Sequence, residues 1–362
     1  MVITLCGDVS ITQKNRYLWE EGNVQSIFGK ISQLFHSSDR VIVNLECALT
    51  EKDTAIRKFG PNLKGPAIAA DILKEAGVTD CGLSNNHIYD FSKPGMDDTV
   101  RELERVGLNY TGIGVNEADS RKDLVIEQDG KTVRVITVCE HEYSYAMSDF
   151  LGARPYDPYD TAEDIRNAKK AADYVIVMYH GGKEQCRYPS PRLRKLCRAM
   201  VMEGADLVLC QHSHCIGCTE EFQSGTIVYG QGNFHFLYPD YSKEAGWTEG
   251  LAVRVDLTEK PSIQLIPVVT TETGMDLASE EVASQILDDL AARNVALADG
   301  TWLDRWHEFC LSKQEVYENA VAGFAKGGEL DIELFAHYLD CEAHTDVWRE
   351  LYPTFHKAKI SQ

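Results

Sequence analysis

The chain has 362 residues, 44% hydrophobic and 25% charged, which is the balance of an ordinary globular protein long enough to bury one large or two small cores. Fifty-six acidic against 36 basic residues leave a formal net charge of -20, so most of the surface repels nucleic acid and anionic lipid, and a phosphate-bearing substrate needs local cations or a metal. No apolar run approaches the ~18 residues of a membrane span. Eleven scattered cysteines suit reduced thiols and a cytoplasmic location better than a disulfide scaffold.

Residues 2–6 read as a first strand rather than a signal peptide, because no basic region or cleavage site accompanies them. Gly7-Asp8 follows at the carboxyl end, where open α/β sheets hold ligands. Ile27, Phe28, Ile31, Leu34 and Phe35 fall at helical spacing within 17–36, and 41–43 predicts a second strand that runs into Asn44-Leu45-Glu46. The loop 50–66 is rich in positive charge, with Lys52, Arg57, Lys58 and Lys64. A helix over 67–76 stops at Gly77, a strand over 79–84 leads to Asn85-Asn86-His87, and a helix over 94–106 stops at Gly107.

The stretch 131–138 alternates as a strand and ends in Cys139-Glu140-His141-Glu142, a further cluster of ligand-type residues. A helix over 161–172 precedes a strand over 174–178 and then Tyr179-His180-Gly181-Gly182. A helix over 191–203 precedes a strand over 205–210 and then His212-Ser213-His214. Segments 251–257 and 262–269 alternate as a hairpin. Strand and helix alternate throughout, so the class is α/β. From about Met275 the pattern turns to long amphipathic segments, 279–294, 301–323 and 332–352, which divides the chain into 1–272 and a helical extension, 273–362. Trp302, Trp306, Phe309, Tyr317, Phe324, Phe335 and Trp348 are read there as packing residues.

Asp8, Glu46, Asn86, His180, His212 and His214 all fall at strand ends of the same sense, where one pocket can gather them. Singly, each has a plainer reading: Asp8 and Asn86 as caps of turns, Glu46 as partner of a surface lysine, His180 as incidental to a Gly-Gly turn. Together they offer two carboxylates, an amide oxygen and three imidazoles, a donor set that suits one or two divalent ions, Mn, Fe or Zn, with Mg also compatible. A carboxylate such as Glu46 can bridge two ions about 3.5 to 4 Å apart, the spacing that clamps attacking and leaving oxygens in phosphoryl transfer, with an activated water as nucleophile. His87, beside Asn86, then faces the leaving group as a general acid or stabilises the developing negative charge. Lys64 and Arg187 adjoin the inferred site and are candidates for holding an anionic substrate, against a plainer reading as surface charge. A sulfur site from Cys210, Cys215 and Cys218 is disfavoured, since a fourth cysteine has no place and the histidines interrupt the loop.

Gly7-Asp8-Val9, Asn44-Leu45-Glu46, Leu83-Ser84-Asn85-Asn86-His87, Tyr179-His180-Gly181, His212-Ser213-His214 and Tyr229-Gly230-Gln231-Gly232-Asn233-Phe234 resemble, in content and order, the bacterial capsule-synthesis protein CapA (poly-gamma-glutamate biosynthesis) family, related to the calcineurin-like metallophosphoesterases. The resemblance covers about residues 1–270. It implies a four-layer α/β/β/α sandwich, with Asp8, Glu46, Asn86, His180, His212 and His214 on metal-ligand positions, His87 on the catalytic histidine position, and Asn85 able to exchange roles with Asn86. Ser10 stands where the broader phosphoesterases carry a histidine and Glu46 where they carry an aspartate, so one metal site is expected to be weaker. The function implied is that of a metal-dependent hydrolase acting on a phosphoester or glutamyl-amide substrate, small or polymer-derived and anionic. The alternative is a non-catalytic accessory protein of a polymer-synthesis complex, with capsule-synthesis proteins as partners and the helical extension as a docking surface.

Overall fold

Along β1 (Val2–Ser10), Ile3 and Leu5 face one way and Thr4 and Cys6 the other, and all four are buried. A strand apolar on both faces must be covered on both. The same alternation recurs in β2 (Arg40–Leu45), where Ile42 opposes Val41 and Val43, and it dictates a layered molecule. The computed structural model describes residues 1–237 and 246–353. Beyond β1 and β2 the strands of the two large sheets are β3 (Asp80–Gly82), β4 (Asn109–Thr111), β5 (Leu124–Gln128), β6 (Lys131–Cys139), β7 (Tyr174–His180), β8 (Leu207–Gln211), β9 (Thr219–Phe222), β10 (Gly225–Val228), β11 (Asn233–Phe236), β12 (Glu249–Asp256), β13 (Ser262–Thr270) and β14 (Met275–Leu277).

They form an eight-stranded sheet, β14-β13-β12-β1-β2-β3-β4 with β11 also paired to β1, and a six-stranded sheet, β9-β10-β8-β7-β6-β5. The centres of both are parallel, β1-β2-β3 in the first and β6-β7-β8 in the second. Antiparallel strands close three of the four edges, with the expected hairpin β12-β13 beside β14, while β4 pairs in parallel with β3 at the fourth. Ile3, Leu5 and Ile42 from the first sheet meet Val133, Ile176, Met178 and Leu209 from the second in one core between the sheets. A second core fills the outer face of the first sheet and a third the outer face of the second. The order is α/β/β/α, the four layers the sequence implies.

Helices supply the outer layers. Over 17–36 the expected helix is instead three short ones, α1 (Arg16–Glu20), α2 (Val24–Phe28) and α3 (Ile31–His36). Gly22 and Gly29 break them with φ of 69° and 45°, a left-handed backbone that glycine adopts without steric cost. The apolar spacing still serves, because Ile27, Phe28, Ile31 and Phe35 are all buried on the first sheet. α4 (Ala69–Ala76) and α5 (Ser92–Val106) end at Gly77 and Gly107, both left-handed C-caps. On the second sheet lie α6 (Pro158–Ala171), capped by Asp157, and α7 (Pro191–Glu203), capped by Ser190 with Pro191 in its first turn.

The segments after Met275 are helical as expected: α8 (Glu280–Asp299), α9 (Trp302–Lys326), α10 (Glu329–Asp340) and α11 (Glu342–Leu351). The stretch expected to be continuous over 332–352 turns at Cys341, where φ and ψ are -73° and 127°. Residues 354–362 of the expected extension, and 238–245, lie outside the described residues. Trp302, Trp306, Cys310, Tyr317 and Val347 share one core with Leu196, Cys197 and Met200 of α7. Trp306 is 1% exposed. Trp306→Ala is therefore expected to cost about 3–5 kcal/mol of unfolding free energy in urea titration, whereas a loss under about 1 kcal/mol would mean the helices are not part of that core. Among the described residues no helix is long and apolar enough to cross a membrane.

Candidate metal centre

Parallel strands deliver their carboxyl ends to one side. β1 and β2 run in register with Asp8 opposite Asn44, so Glu46, just past β2, comes beside Asp8. β7 ends on His180, β8 ends on Gln211, and His212 is the next residue. His180 is the hub of what results. Its Nε2 lies 2.9 Å from Asn86 Oδ1, 3.2 Å from His212 Nδ1 and 3.4 Å from Glu46 Oε1. Its Nδ1 is 3.6 Å from Asp8 Oδ1, and His214 Nδ1 is 3.7 Å from Asp8 Oδ2. All six residues singled out for a metal are brought together, and all are buried.

The two loop histidines are aimed by backbone, not by strand alternation. His212 has φ 77° and His214 φ 54°, conformations that side chains with a Cβ disfavour and that cluster at functional sites. The His212 N–H donates to Asp8 Oδ2 at 3.0 Å, which ties the turn to the carboxylate it faces. A second tier positions the first. Asn44 Nδ2 donates to Asp8 Oδ1 at 2.7 Å, and Asn85 Nδ2 donates to Asn44 Oδ1 and to the Leu45 carbonyl. Asn85 is thereby committed to the scaffold, and Asn86 is the amide that faces the cluster.

Glu46 is fully buried, and among the described residues its carboxylate oxygens make no regular hydrogen bond; the one positive partner in reach is His180 Nε2, 3.4 Å from Oε1. Buried polar groups are normally paired, and a single long contact leaves a buried carboxylate costly, so the site favours a cation. Donor atoms within 4.8 Å of one another form two groups, Glu46 with His180 and His212, and Asp8 with Glu46 and His214. Glu46 belongs to both, which is the position of a bridging ligand between two ions. The residues fit a divalent metal in donor chemistry as well as in burial.

Burial pushes the His180 imidazole down, but the nearby Glu46 and Asp8 carboxylates outweigh it and raise its pKa to about 10, so the cluster favours a positive charge, which a bound metal would supply in place of that proton. Burial raises Asp8, and the His180 and His214 partners more than reverse this, holding the carboxyl well below its usual range. His212 goes the other way, with burial keeping its ring neutral, the form that ligates a metal.

His87 stands apart from both ligand groups. Its Nδ1 is 2.6 Å from Asp90 Oδ2 and 3.1 Å from Lys58 Nζ, while Lys58 Nζ donates to Asp90 Oδ1 at 2.5 Å. Burial raises the Asp90 carboxyl, but the His87 and Lys58 charges hold it below the ordinary value, so it stays an anion and orients the ring. Asn86 and His87 line a cavity of about 180 Å3 together with Lys58, Glu142, Lys183, His337 and His344. A larger groove of about 530 Å3, between α5 and β4, lies elsewhere and its charged residues Arg101 and Lys122 are paired at the surface.

Two expectations lead elsewhere. Lys64 Nζ donates to the Lys52 carbonyl and sits 4.5 Å over the Phe91 ring, and Arg187 faces Glu249 at 3.8 Å; neither lines the cavity. The cation that does come from that basic loop is Lys58. Ser10 donates to the Glu46 carbonyl at 3.0 Å and supplies the backbone, not the ligand groups. Glu142, from the cluster after β6, reaches His212 Nε2 at 3.4 Å, while Glu140 and His141 turn to Arg192 and Glu342. Among the described residues no thiol joins either ligand group; Cys210 pairs with Cys197 at 3.5 Å, and all eleven cysteines are buried and free.

Behind the centre, His235 is fully buried against Trp19 and Phe28, and burial, outweighing backbone contacts with Ser10, pushes its pKa down to about 4. The unfolded chain takes up this proton near pH 6.5 and the folded chain only near 4. Stability is therefore lost as pH falls through that window, by about 2 kcal/mol between pH 7 and pH 5 from this residue alone. Urea unfolding at the two pH values should show His235→Phe losing that share of the pH dependence; an unchanged dependence would contradict it.

The family model described as "Bacterial capsule synthesis protein PGA_cap" matches residues 2–238. The chain is similar to "PGA biosynthesis protein CapA" of Bacillus subtilis (strain 168), 30% identical over 246 residues, covering 67% of this chain and 63% of that protein. It is similar also to "Capsule biosynthesis protein CapA" of Bacillus anthracis, 29% identical over 259 residues, covering 68% and 61%. The match thus spans a little over three fifths of the length of either relative. Among solved structures, a 5'-nucleotidase precursor from Thermus thermophilus is 12% identical, covers 82% of this chain and 59% of its own, and has a TM-score of 0.42, a distant likeness from which no activity follows.

Proposed function

This chain belongs to the bacterial capsule synthesis protein PGA_cap family, and from that premise we propose that it is a metal-dependent hydrolase of capsule or poly-gamma-glutamate biosynthesis. Its substrate on this reading is an anionic phosphoester or glutamyl amide, small or derived from a polymer. The observation that carries the reading is Glu46, a fully buried carboxylate that makes no hydrogen bond among the described residues, lies 3.4 Å from His180, and is shared between two groups of ligand-type side chains.

Asp8, Glu46, Asn86, His180, His212 and His214 would hold one or two divalent ions, with Mn, Fe or Zn favoured by the imidazole share and Mg compatible with the oxygens. Such ions supply a hydroxide nucleophile near neutral pH and polarise the bond under attack. Asn44 and Asn85 keep the Asp8 carboxylate in place. Asp90 anchors Nδ1 of His87, which leaves Nε2 to deliver a proton to the departing oxygen or nitrogen. Burial of all these groups excludes bulk water and strengthens each interaction.

The reading takes 1–272 as the hydrolytic unit and 273–362 as its helical extension, and the free, buried cysteines support a cytoplasmic setting. The test is turnover of phosphomonoesters, phosphodiesters and γ-glutamyl amides by protein supplied with Mn, Fe(II) or Zn. Hydrolysis that a chelator abolishes and metal restores is expected. Metal binding with no turnover of any of them would favour the second reading, an accessory protein of a polymer-synthesis complex, for which the observation is Ser10 turned onto a backbone carbonyl where a further ligand would stand.

A further inference from the structure

The C-terminal helices do more than cover the second sheet. α10 and α11 contribute His337, Tyr338 and His344 to the cavity that Asn86 and His87 open into. They also reach the candidate metal cluster through one side chain. Glu142 lies between the two, Oε2 3.4 Å from His212 Nε2 and Oε1 3.5 Å from His337 Nε2. The wall is firmly fixed. The His337 ring stacks on Tyr143 with centroids 4.8 Å apart and planes 18° apart, and His344 stacks on Tyr338 at 4.2 Å. Tyr317 Oη and His344 Nδ1 share a hydrogen bond of 2.6 Å. At the base of α11, Asp346 accepts from Ser190 Oγ at 2.5 Å and from Arg192 Nε at 2.9 Å, and Glu140 accepts from the Ala343 N–H at 3.2 Å.

Two cations line this cavity and they differ in one respect. Lys58 is already matched, by Asp90 at 2.5 Å. Lys183 has an ion pair but no hydrogen-bond acceptor among the described residues: its side chain is 9% exposed, and Glu184, which lines the same cavity, is 3.7 Å away. An ammonium has three protons to give, and a mostly buried one without an acceptor is costly unless a ligand supplies it. At about 180 Å3 the cavity has room for about six waters, or for one small oxyanion with its first contacts.

We infer that Lys183 and the α10–α11 wall form a binding pocket for one small oxyanionic group, phosphate or carboxylate, across the cavity from His87. The pocket deepens the hydrolase reading, since a substrate held there would present its other end to the metal cluster, and to that extent it rests on that reading. Lys183 recognises the charge, while His337 and His344 set the size of the group admitted. Binding itself requires no turnover, so the two ideas can fail separately.

The experiment is calorimetric titration of the metal-loaded full chain with inorganic phosphate, and in parallel with acetate, for wild type, Lys183→Met, Lys183→Arg and His337→Ala, with metal content measured on each. Loss of one charge-assisted contact predicts roughly ten- to a hundredfold weaker phosphate binding by Lys183→Met at unchanged metal content. Lys183→Arg should retain most of the affinity, which a purely structural lysine would not require. His337→Ala should weaken phosphate less than Lys183→Met. Acetate binding that follows the same order marks a carboxylate as an equal occupant, whereas phosphate alone marks a phosphate pocket. Equal phosphate affinity in wild type and Lys183→Met would overturn the pocket and leave the hydrolase reading intact, as would no binding of either anion by the wild type. Lys183-dependent binding in a chain without hydrolytic turnover would uphold the pocket and count against the hydrolase.

Discussion

Glu46→Gln is expected to strip the protein of metal and, in the same molecule, to end turnover. The two effects have one cause. Both carboxylate oxygens are buried without a hydrogen bond among the described residues, and both ligand groups include this residue. An amide bridges two cations poorly, so each ion loses an anionic ligand at once and turnover should drop about a thousandfold or more, since removal of even a single electrostatic donor from an active site costs about 10²–10³. Elemental analysis and turnover of the metal-supplied protein read the two effects separately. A variant that keeps its metal, or its turnover, would count against Glu46 as the shared ligand.

His87→Ala is expected to act on the reaction alone. The residue is outside both ligand groups, its ring is held by Asp90 at 2.6 Å, and it lines the cavity beside Asn86. Removal of a positioned general acid typically costs about 10²–10⁴ in rate. Metal content should stay at the wild-type value, and substrates with good leaving groups should lose least, because they need the proton least. Equal losses across leaving groups would point to a role in binding, and loss of metal would place His87 among the ligands after all.

The fold was legible wherever local pattern and tertiary burial coincide. Residues 41–43 and 174–178 are apolar at every position because both faces of their strands are covered, and the shortness of each run favours a strand over a buried helix. The strand ends then told where chemistry should sit, and Asp8, Glu46, Asn86, His180, His212 and His214 do converge. What was not legible depended on geometry that spacing does not encode. The period across 17–36 survives two glycine breaks, so only the glycines themselves, Gly22 and Gly29, could have signalled them. Lys58 and Lys64 have the same chemistry in one irregular loop, and only its path decides that Lys58 meets His87 while Lys64 folds back on Lys52. Glu142 carried a signal, its place at a strand end, but its distance to His212 did not. The arrival of His337 and His344 at the cleft rests on contacts between residues far apart in sequence, such as His337 with Glu142, for which no local pattern exists.

The most direct measurement is the amount of metal per chain, by elemental analysis of protein supplied with Mn, Fe(II) or Zn during expression and purified without chelators. A centre with Glu46 shared between the His180–His212 and Asp8–His214 groups should hold two ions per chain, with the second more readily lost on dialysis. Chains that carry no divalent ion under those conditions would contradict the account at its base, since the buried Glu46 carboxylate would then stand without the cation on which the proposed chemistry depends.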